Sequence, residues 1–146
     1  MKTVIIVLVI FSFGRVNLTL GQQSIQYGSN DGKYVSIYNT KVYYEEYGKG
    51  TPLLMIHGGT ASIASFRKVI PELSKKFRVI ALDTPGHGRS QQSDTPSCQI
   101  ITNYFSKLID ILKLDSVYVI GWSDGGIVAQ LLAADRPEKI KRAIAS

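Results

Sequence analysis

Three short apolar segments, each followed directly by a glycine-containing stretch, constrain the fold of this chain more than any other feature. They span residues 53–56, 78–82 and 117–120, and the second begins with the charged residue Arg78. Apolar segments of this length predict strands that are buried on both faces. Segments of helical periodicity lie between them, and such alternation predicts a mostly parallel sheet with helices on both faces. In a sheet of this kind the chemistry lies at the carboxyl ends of the strands.

The remaining segments extend the sheet at both ends. Alternating residues predict two antiparallel strands ahead of the first apolar segment, with a turn at Asn39-Thr40 between them. Outside the three apolar segments, the predicted elements are strands at 34–38, 41–47 and 141–145 and helices at 62–76, 99–114 and 126–134. Pro71 marks a kink or a restart in the first helix, because proline has no amide hydrogen to donate. The predicted fold class is α/β, mostly parallel, with an N-terminal antiparallel hairpin.

Composition excludes several classes of protein. Of the 146 residues, 45% are hydrophobic, which is too many for a disordered chain. The single cysteine, Cys98, excludes a disulfide scaffold. The formal net charge of +6 falls to +4 without Lys2 and Arg15. The other basic residues are scattered rather than arranged in a stripe, so the sequence predicts no nucleic-acid partner.

The first 21 residues have the pattern of a secretory signal peptide. Lys2 precedes an apolar stretch over residues 4–13. A membrane-spanning helix needs about 20 apolar residues, so this stretch is too short to cross a bilayer. We expect cleavage after Gly21, no membrane contact afterwards, and a secreted or periplasmic protein. The alternative is an N-terminal strand of the fold. The predicted organisation is a signal peptide at 1–21 and a domain at 22–146.

The third apolar segment leads into Gly121-Trp122-Ser123-Asp124-Gly125-Gly126, which contains the pattern G-x-S-x-G. The pattern lies directly between a predicted strand and a predicted helix. In a nucleophile elbow, this placement forces the serine into a strained backbone conformation that presents its Oγ above the sheet. Ser123 is therefore the candidate nucleophile. The alternative is a glycine-rich turn in which Ser123 only caps the helix.

A dinucleotide site is the main competing interpretation of a glycine-rich turn after a strand. It would need the spacing G-x-G-x-x-G after the first strand of the parallel sheet. Neither the segment at His57 nor the one at Ser123 has this spacing, and residues 86–88 contain only a G-x-G fragment. The sequence predicts no organic cofactor, and it contains no ligand spacing that predicts a metal.

The first apolar segment leads into His57-Gly58-Gly59-Thr60. Acyl transfer creates an oxyanion, which two backbone amides must meet. We expect the amides of Gly59 and Asp124 to be these donors. His57 is expected to organise the loop through hydrogen bonds rather than to act as a base. The alternative is a helix entry in which the glycines only make a turn.

Three further side chains have predicted roles near the nucleophile. Asp83 ends the second apolar segment and is expected, with Ser90, to tie down the loop that follows. Asp124 and Trp122 are the candidate substrate-binding residues. A carboxylate beside the nucleophile attracts positively charged substrates. The alternative for Asp124 is that it only complements the dipole of the following helix.

Three blocks occur in the order and spacing of the α/β-hydrolase superfamily: residues 57–59, the D-x-x-G-x-G-x-S block at 83–90, and the elbow at 121–126. The chain resembles the N-terminal half of that fold, from near Tyr34 to near Ile144. The elbow is most similar to the valacyclovir-hydrolase or biphenyl-hydrolase-like branch. The resemblance implies a serine hydrolase that cleaves a carboxylic ester, lactone or amide in a small-molecule substrate.

The chain departs from that superfamily after the nucleophile. There the acid and the histidine of the triad follow the serine in the chain. Here three acidic residues and no histidine follow Ser123, and both histidines, His57 and His87, precede it. We therefore expect a fragment, truncated after about the sixth strand, that is incomplete for catalysis. A non-catalytic binding protein that keeps the elbow is the alternative class. An exported basic protein acting by charge is disfavoured, because the sequence has no basic patch.

Overall fold

The computed structural model describes residues 26–28, 32–93 and 96–146, and the predicted signal peptide lies outside these ranges. The strands are β1 (Lys33–Ile37), β2 (Thr40–Tyr47), β3 (Thr51–Ile56), β4 (Phe77–Leu82), β5 (Val117–Gly121) and β6 (Ile140–Ala145). The helices are α1 (Ile70–Leu73), α2 (Cys98–Ile111) and α3 (Asp124–Asp135), and a short 3-10 helix covers Ile63–Phe66. In the described ranges, no helix combines the length and the apolar character needed to cross a membrane.

The strands form one six-stranded sheet in the order β1-β2-β4-β3-β5-β6. β2 runs antiparallel to both β1 and β4, whereas β4, β3, β5 and β6 are parallel to one another. The predicted fold class is therefore confirmed. Because β3 lies between β4 and β5, the loops that follow these three strands meet at one edge of the sheet. This arrangement brings His57, Asp83 and Ser123 to the same edge.

One face of the sheet packs against α2 and α3. The apolar stripe of α2 includes Phe105 and Leu108, which have no exposed surface. These side chains pack in one cluster with Leu54 and Ile80 from the sheet and with Leu132 from α3. The spacing of three and four residues that predicted α2 is thus the spacing of its buried face.

The opposite face is covered only in part. Ile63, Phe66 and Ile70 bury this side of β3 and β4. Towards β5 and β6 the cover ends, and Ile144 remains 59% exposed. An open apolar cavity of about 500 Å³ lies there, lined by residues that include Ile120 and Ile144. The two faces of this sheet therefore differ sharply in how much apolar surface they bury.

The structure confirms a restart at Pro71 within the helical segment predicted over residues 62–76, and the alternative of one helix kinked at Pro71 is wrong. The structure has a 3-10 helix at Ile63–Phe66 and a four-residue α1 at Ile70–Leu73. Pro71 lies in the first turn of α1, where a missing amide hydrogen is tolerated, whereas in one continuous helix this position would have to donate to the carbonyl of Arg67. The apolar residues still point inward from both short helices, which explains why their spacing resembled one helix.

The other predicted elements are confirmed, with ends that differ by at most three residues. The largest local change is at the hairpin, where the turn is formed by Tyr38 and Asn39 rather than by Asn39 and Thr40. Both residues have positive φ, 49° and 63°. Two-residue hairpin turns favour positive φ at both positions, because it matches the twist of the strands. The ring of Tyr38 also packs edge-on against Tyr104 of α2, 5.4 Å away.

Candidate active site

Ser123 lies in the tight connection between β5 and α3. Its φ is 56° and its ψ is −125°. For a residue with a side chain this backbone conformation is strained, and such strain concentrates at functional sites. The Ser123 amide donates to the carbonyl of Ser146 at 2.6 Å, and its own carbonyl accepts from Gly126 at 2.7 Å. The serine is thus held at an exposed position at the amino end of α3.

The two glycines that flank Ser123 are required by backbone contacts. A Cβ on Gly121 would lie 1.9 Å from the carbonyl oxygen of Gly125. A Cβ on Gly125 would lie 2.2 Å from the carbonyl oxygen of Ile56 and 2.7 Å from that of His57. These are backbone atoms, so no rotamer change could relieve the overlap. The spacing of the glycines therefore follows from the close approach of β3 and the β5–α3 turn.

The loop after β3 packs directly on this turn. A Cβ on Gly58 would lie 3.0 Å from Cβ of Ser123. A Cβ on Gly59 would lie 2.5 Å from Oδ2 of Asp124, so the carboxylate of Asp124 sits against the Gly59 backbone. Among the described residues, no acceptor meets the backbone amide of Gly59 or that of Asp124. Each of the two segments that meet at Ser123 therefore contributes one backbone amide that has no acceptor among the described residues.

His57 is buried and both of its ring nitrogens have partners. Nδ1 lies 2.7 Å from the carbonyl oxygen of Gly58, and Nε2 accepts from the amide of Thr84 at 3.1 Å. Burial lowers the pKa of His57, and the neighbouring His87 lowers it further. A neutral ring that donates from Nδ1 and accepts at Nε2 satisfies both contacts. His57 therefore links the loop after β3 to the loop after β4.

Asp83 has no exposed surface and accepts several hydrogen bonds. Its carboxylate accepts from the amide of Ile63 at 2.8 Å, from the amide of Arg89 at 2.9 Å, and from the hydroxyl of Tyr27. The hydroxyl of Ser90 donates to the Asp83 carbonyl and accepts from the amide of Tyr43 at 2.8 Å. The Asp83 carboxylate therefore joins three separate segments of the chain.

Trp122 and Asp124 flank Ser123 but line different cavities. Trp122 is half exposed and borders an open apolar cavity of about 590 Å³ with residues that include Met55 and Phe66. Asp124 borders a much smaller cavity of about 40 Å³, next to His57 and His87. The two cavities belong to opposite faces of the sheet. The two predicted substrate-binding residues are thus not brought together.

Thr84 and His87 are the residues near this site to which the sequence analysis gave no role. The hydroxyl of Thr84 lies between the two histidine rings, 3.3 Å from Nε2 of His57 and 3.1 Å from Nδ1 of His87. The sequence feature that could have identified Thr84 and His87 is their position in a glycine-rich stretch directly after a buried strand. The acidic residues near the end of α3 are elsewhere, because Asp135 pairs with Gln99 and Glu138 with Arg136.

Within the parts of the chain that the structure describes, no group of three His, Cys, Asp or Glu side chains could hold a metal ion. Cys98 lies at the start of α2 and is a free thiol. It borders the small cavity beside Asp124.

Comparison with known proteins identifies the family. The family model described as the alpha/beta hydrolase fold matches residues 51–146, which is more than half of the chain. The 30 kDa magnesium-chelatase subunit of Rhodobacter capsulatus is 43% identical over 90 residues, which are 60% of this chain and 32% of that protein. The 2-hydroxymuconate semialdehyde hydrolase of Pseudomonas sp. (strain CF600) is 35% identical over 102 residues, covering 66% of this chain and 36% of the relative.

A solved structure of the epoxide hydrolase CorEH superposes with a TM-score of 0.73 at 33% identity, covering 77% of this chain and 40% of CorEH. The chain thus spans about a third to two fifths of the length of these three proteins. The narrower resemblance to the valacyclovir-hydrolase or biphenyl-hydrolase-like branch stays a prediction. The sequence match and the sheet topology agree: this chain belongs to the α/β-hydrolase family.

Proposed function

We propose that the protein is a serine hydrolase that cleaves a carboxylic ester, lactone or amide through an acyl-enzyme on Ser123. The observation that carries the proposal is the strained conformation of Ser123 between β5 and α3, with φ of 56°. This is the geometry that a nucleophile elbow needs to expose its serine Oγ. The amino end of α3 adds a partial positive charge, which favours negative charge developing nearby.

The amides of Gly59 and Asp124 are the proposed oxyanion donors. Attack by Ser123 turns the substrate carbonyl oxygen into an oxyanion, and amides aimed at that position stabilise it. In the described part of the chain neither amide has an acceptor, and the two segments touch through Gly58 and Ser123. The tetrahedral intermediate then expels the alcohol or amine, and water releases the acyl group from Ser123.

The proposal assigns the general base to a histidine outside the 146 residues. Both nitrogens of His57 are engaged by Gly58 and Thr84, so His57 has no free nitrogen to take a proton from Ser123. In this scheme the absent histidine removes the Ser123 proton and later protonates the leaving group, and an acid orients it. His57 and Asp83 then serve to hold loops and do not take part in proton transfer.

The names of several relatives support hydrolysis, and one supports a different class. Besides the hydrolases above, the matches include a pimeloyl-[acyl-carrier protein] methyl ester esterase of Legionella pneumophila, 31% identical over 100 residues. The magnesium-chelatase subunit, in contrast, is named as part of an assembly. A non-catalytic binding protein that keeps the Ser123 turn is therefore the second candidate function.

Covalent labelling separates the two candidates. In the whole protein, a fluorophosphonate probe is expected to modify Ser123, and p-nitrophenyl ester hydrolysis should fall by about a thousandfold or more in Ser123→Ala. Ser36→Ala is the matched control, because Ser36 is an exposed serine of the edge strand β1. Tryptic mass spectrometry locates the adduct. A folded wild-type protein without adduct and without turnover would support the binding protein instead.

We further propose that Asp124 favours substrates with a positive charge near the scissile carbonyl. Its carboxylate lies against Gly59, beside the proposed oxyanion donors, rather than directed away from the site. An exposed ion pair contributes up to about 1 kcal/mol, which corresponds to roughly a fivefold preference. Asp124→Asn should therefore lower kcat/KM about fivefold for an ester with a free α-amine and leave its N-acetylated counterpart unchanged. An equal change for both esters would mean that Asp124 only complements the dipole of α3.

Export from the cytoplasm is also proposed, on the pattern of residues 1–21 alone. The basic start and the short apolar stretch over residues 4–13 match a cleavable signal better than a membrane span. N-terminal sequencing of the mature protein checks the expected cleavage after Gly21. Retention of residues 1–21 on the mature protein would argue for the alternative of an N-terminal strand.

A further inference from the structure

Gly59 has a peptide plane on each side, and a histidine holds each of the two. On the upstream side, the Gly58 carbonyl accepts from Nδ1 of His57 at 2.7 Å. On the downstream side, the amide of Thr60 donates to Nε2 of His87 at 3.2 Å. A trans peptide directs its carbonyl and its N–H in opposite directions, so the bond to the Gly58 carbonyl also sets the direction of the Gly59 N–H.

Thr84 joins the two histidine rings, whose centroids are 5.4 Å apart. Nδ1 of His87 lies 3.1 Å from the carbonyl oxygen of Pro85, which can only accept, so this nitrogen carries the hydrogen. Nε2 of His87 is then the acceptor that the Thr60 amide requires. The Thr84 hydroxyl can accept from His87 and donate to His57, so one assignment of hydrogens satisfies every contact with both rings neutral.

Thr60 needs this restraint because its backbone is strained. Its φ is 56°, in the left-handed region that a β-branched residue rarely occupies. The residue is exposed, and among the described residues His87 is the acceptor for its amide. Without that bond Thr60 is free to relax towards negative φ, and the peptide plane between Gly59 and Thr60 would rotate with it.

We propose that His87 is a positioning residue of the candidate active site. As a neutral acceptor for the Thr60 amide it fixes the downstream plane of Gly59, while His57 fixes the upstream plane. Together they keep the Gly59 amide aimed at the oxygen that becomes an oxyanion when Ser123 attacks. The inference rests on the proposed hydrolase function, in which the Gly59 amide is an oxyanion donor. His87 touches no reacting atom in this role.

Two substitutions, His87→Gln and His87→Phe, separate the hydrogen bond from the bulk of the ring. A glutamine side chain keeps an acceptor close to the position of Nε2, whereas a phenylalanine side chain keeps a ring without an acceptor. In the full chain, NMR should detect a coupling across the hydrogen bond between the Thr60 nitrogen and Nε2 of His87. Amide exchange of Thr60 should be about tenfold faster in His87→Phe than in His87→Gln, since one hydrogen bond contributes about 0.5–1.5 kcal/mol. Equal exchange rates in the wild type and in His87→Phe would overturn the proposal.

Kinetics of the whole protein provide the second measurement. Misplacing a catalytic group by about 1 Å can cost roughly a hundredfold in rate. We expect His87→Phe to lower kcat about 10- to 100-fold with KM changed less than about threefold, and His87→Gln to stay within about threefold of wild type. An equal loss in both variants, or an unchanged kcat in His87→Phe, would contradict the positioning role. If the wild type shows no turnover that depends on Ser123, the hydrolase function fails, and Thr60 exchange alone decides whether His87 holds the loop.

Discussion

Replacing Gly125 with alanine is expected to destabilise the protein by about 2 kcal/mol or more. The new methyl group would lie 2.2 Å from the carbonyl oxygen of Ile56, well inside van der Waals contact. Overpacking usually costs about 1–3 kcal/mol, and here the cost lies at the upper end because both sides of the contact are backbone. The better helix propensity of alanine offsets only about 1 kcal/mol. Urea unfolding followed by far-UV circular dichroism measures the difference.

The neighbouring glycine provides a matched control. A Cβ on Gly126 would lie 3.3 Å from the carbonyl oxygen of Ser146 and 3.4 Å from Cβ of Ala145, so small shifts accommodate it. Gly126→Ala makes the same chemical change in the same turn of α3, and we expect its free energy of unfolding within about 1 kcal/mol of wild type. Similar losses of unfolding free energy in both variants would contradict the explanation that the close approach of β3 requires glycine at position 125.

Asp83→Asn is the second substitution with a large expected effect, a loss of about 3 kcal/mol in the free energy of unfolding. The Asp83 carboxylate accepts from two backbone amides and the Tyr27 hydroxyl in a fully buried site. An asparagine would place an NH₂ group against at least one of these donors. Hydrogen bonds to a charged group contribute about 1.5–3 kcal/mol, and a buried donor left without an acceptor costs about 1–3 kcal/mol.

Kinetics distinguish a loop-holding role of Asp83 from a catalytic one. In the protein that remains folded, Asp83→Asn should lower kcat by much less than Ser123→Ala does. Asp115→Asn is the control for stability, because Asp115 is 92% exposed and pairs only with Lys139 in the described chain. That variant should change the free energy of unfolding by less than about 1 kcal/mol. A large fall in kcat at an unchanged melting temperature would place Asp83 in the chemistry.

Local sequence patterns were sufficient to predict most of this sheet. Buried parallel strands are apolar along their whole length, so β3, β4 and β5 stand out from their surroundings. The short-range glycine contacts around Ser123 could also be anticipated, because Gly121 and Gly125 lie within one turn of the chain. Pro71 indicated where the helical segment over 62–76 restarts, but apolar spacing reports only which residues face the core, so it did not show that the first part is a 3-10 helix.

Contacts between distant segments could not be predicted. The bonds of Thr84 to His57 are an example, because they join residues 27 positions apart. Such pairings depend on which loops the fold brings together, and no periodicity encodes them. The burial of Glu45 could not be predicted either, since a charged residue in an alternating strand is expected on the solvent side. In the structure Glu45 is fully buried, and the hydroxyls of Tyr43 and Tyr47 donate to its two carboxylate oxygens.

The close packing of Gly125 on Ile56 and of Gly58 on Ser123 has a consequence for recombination between members of the family. Neither loop has a conformation that is independent of the other, because each fills the space left by a missing side chain in its partner. A chimera that takes residues 57–60 from one parent and residues 121–126 from another would break a contact surface made of backbone atoms. Crossover points between residues 60 and 121 therefore carry a higher risk of misfolding than sequence distance suggests, and donor loops should be exchanged as a pair.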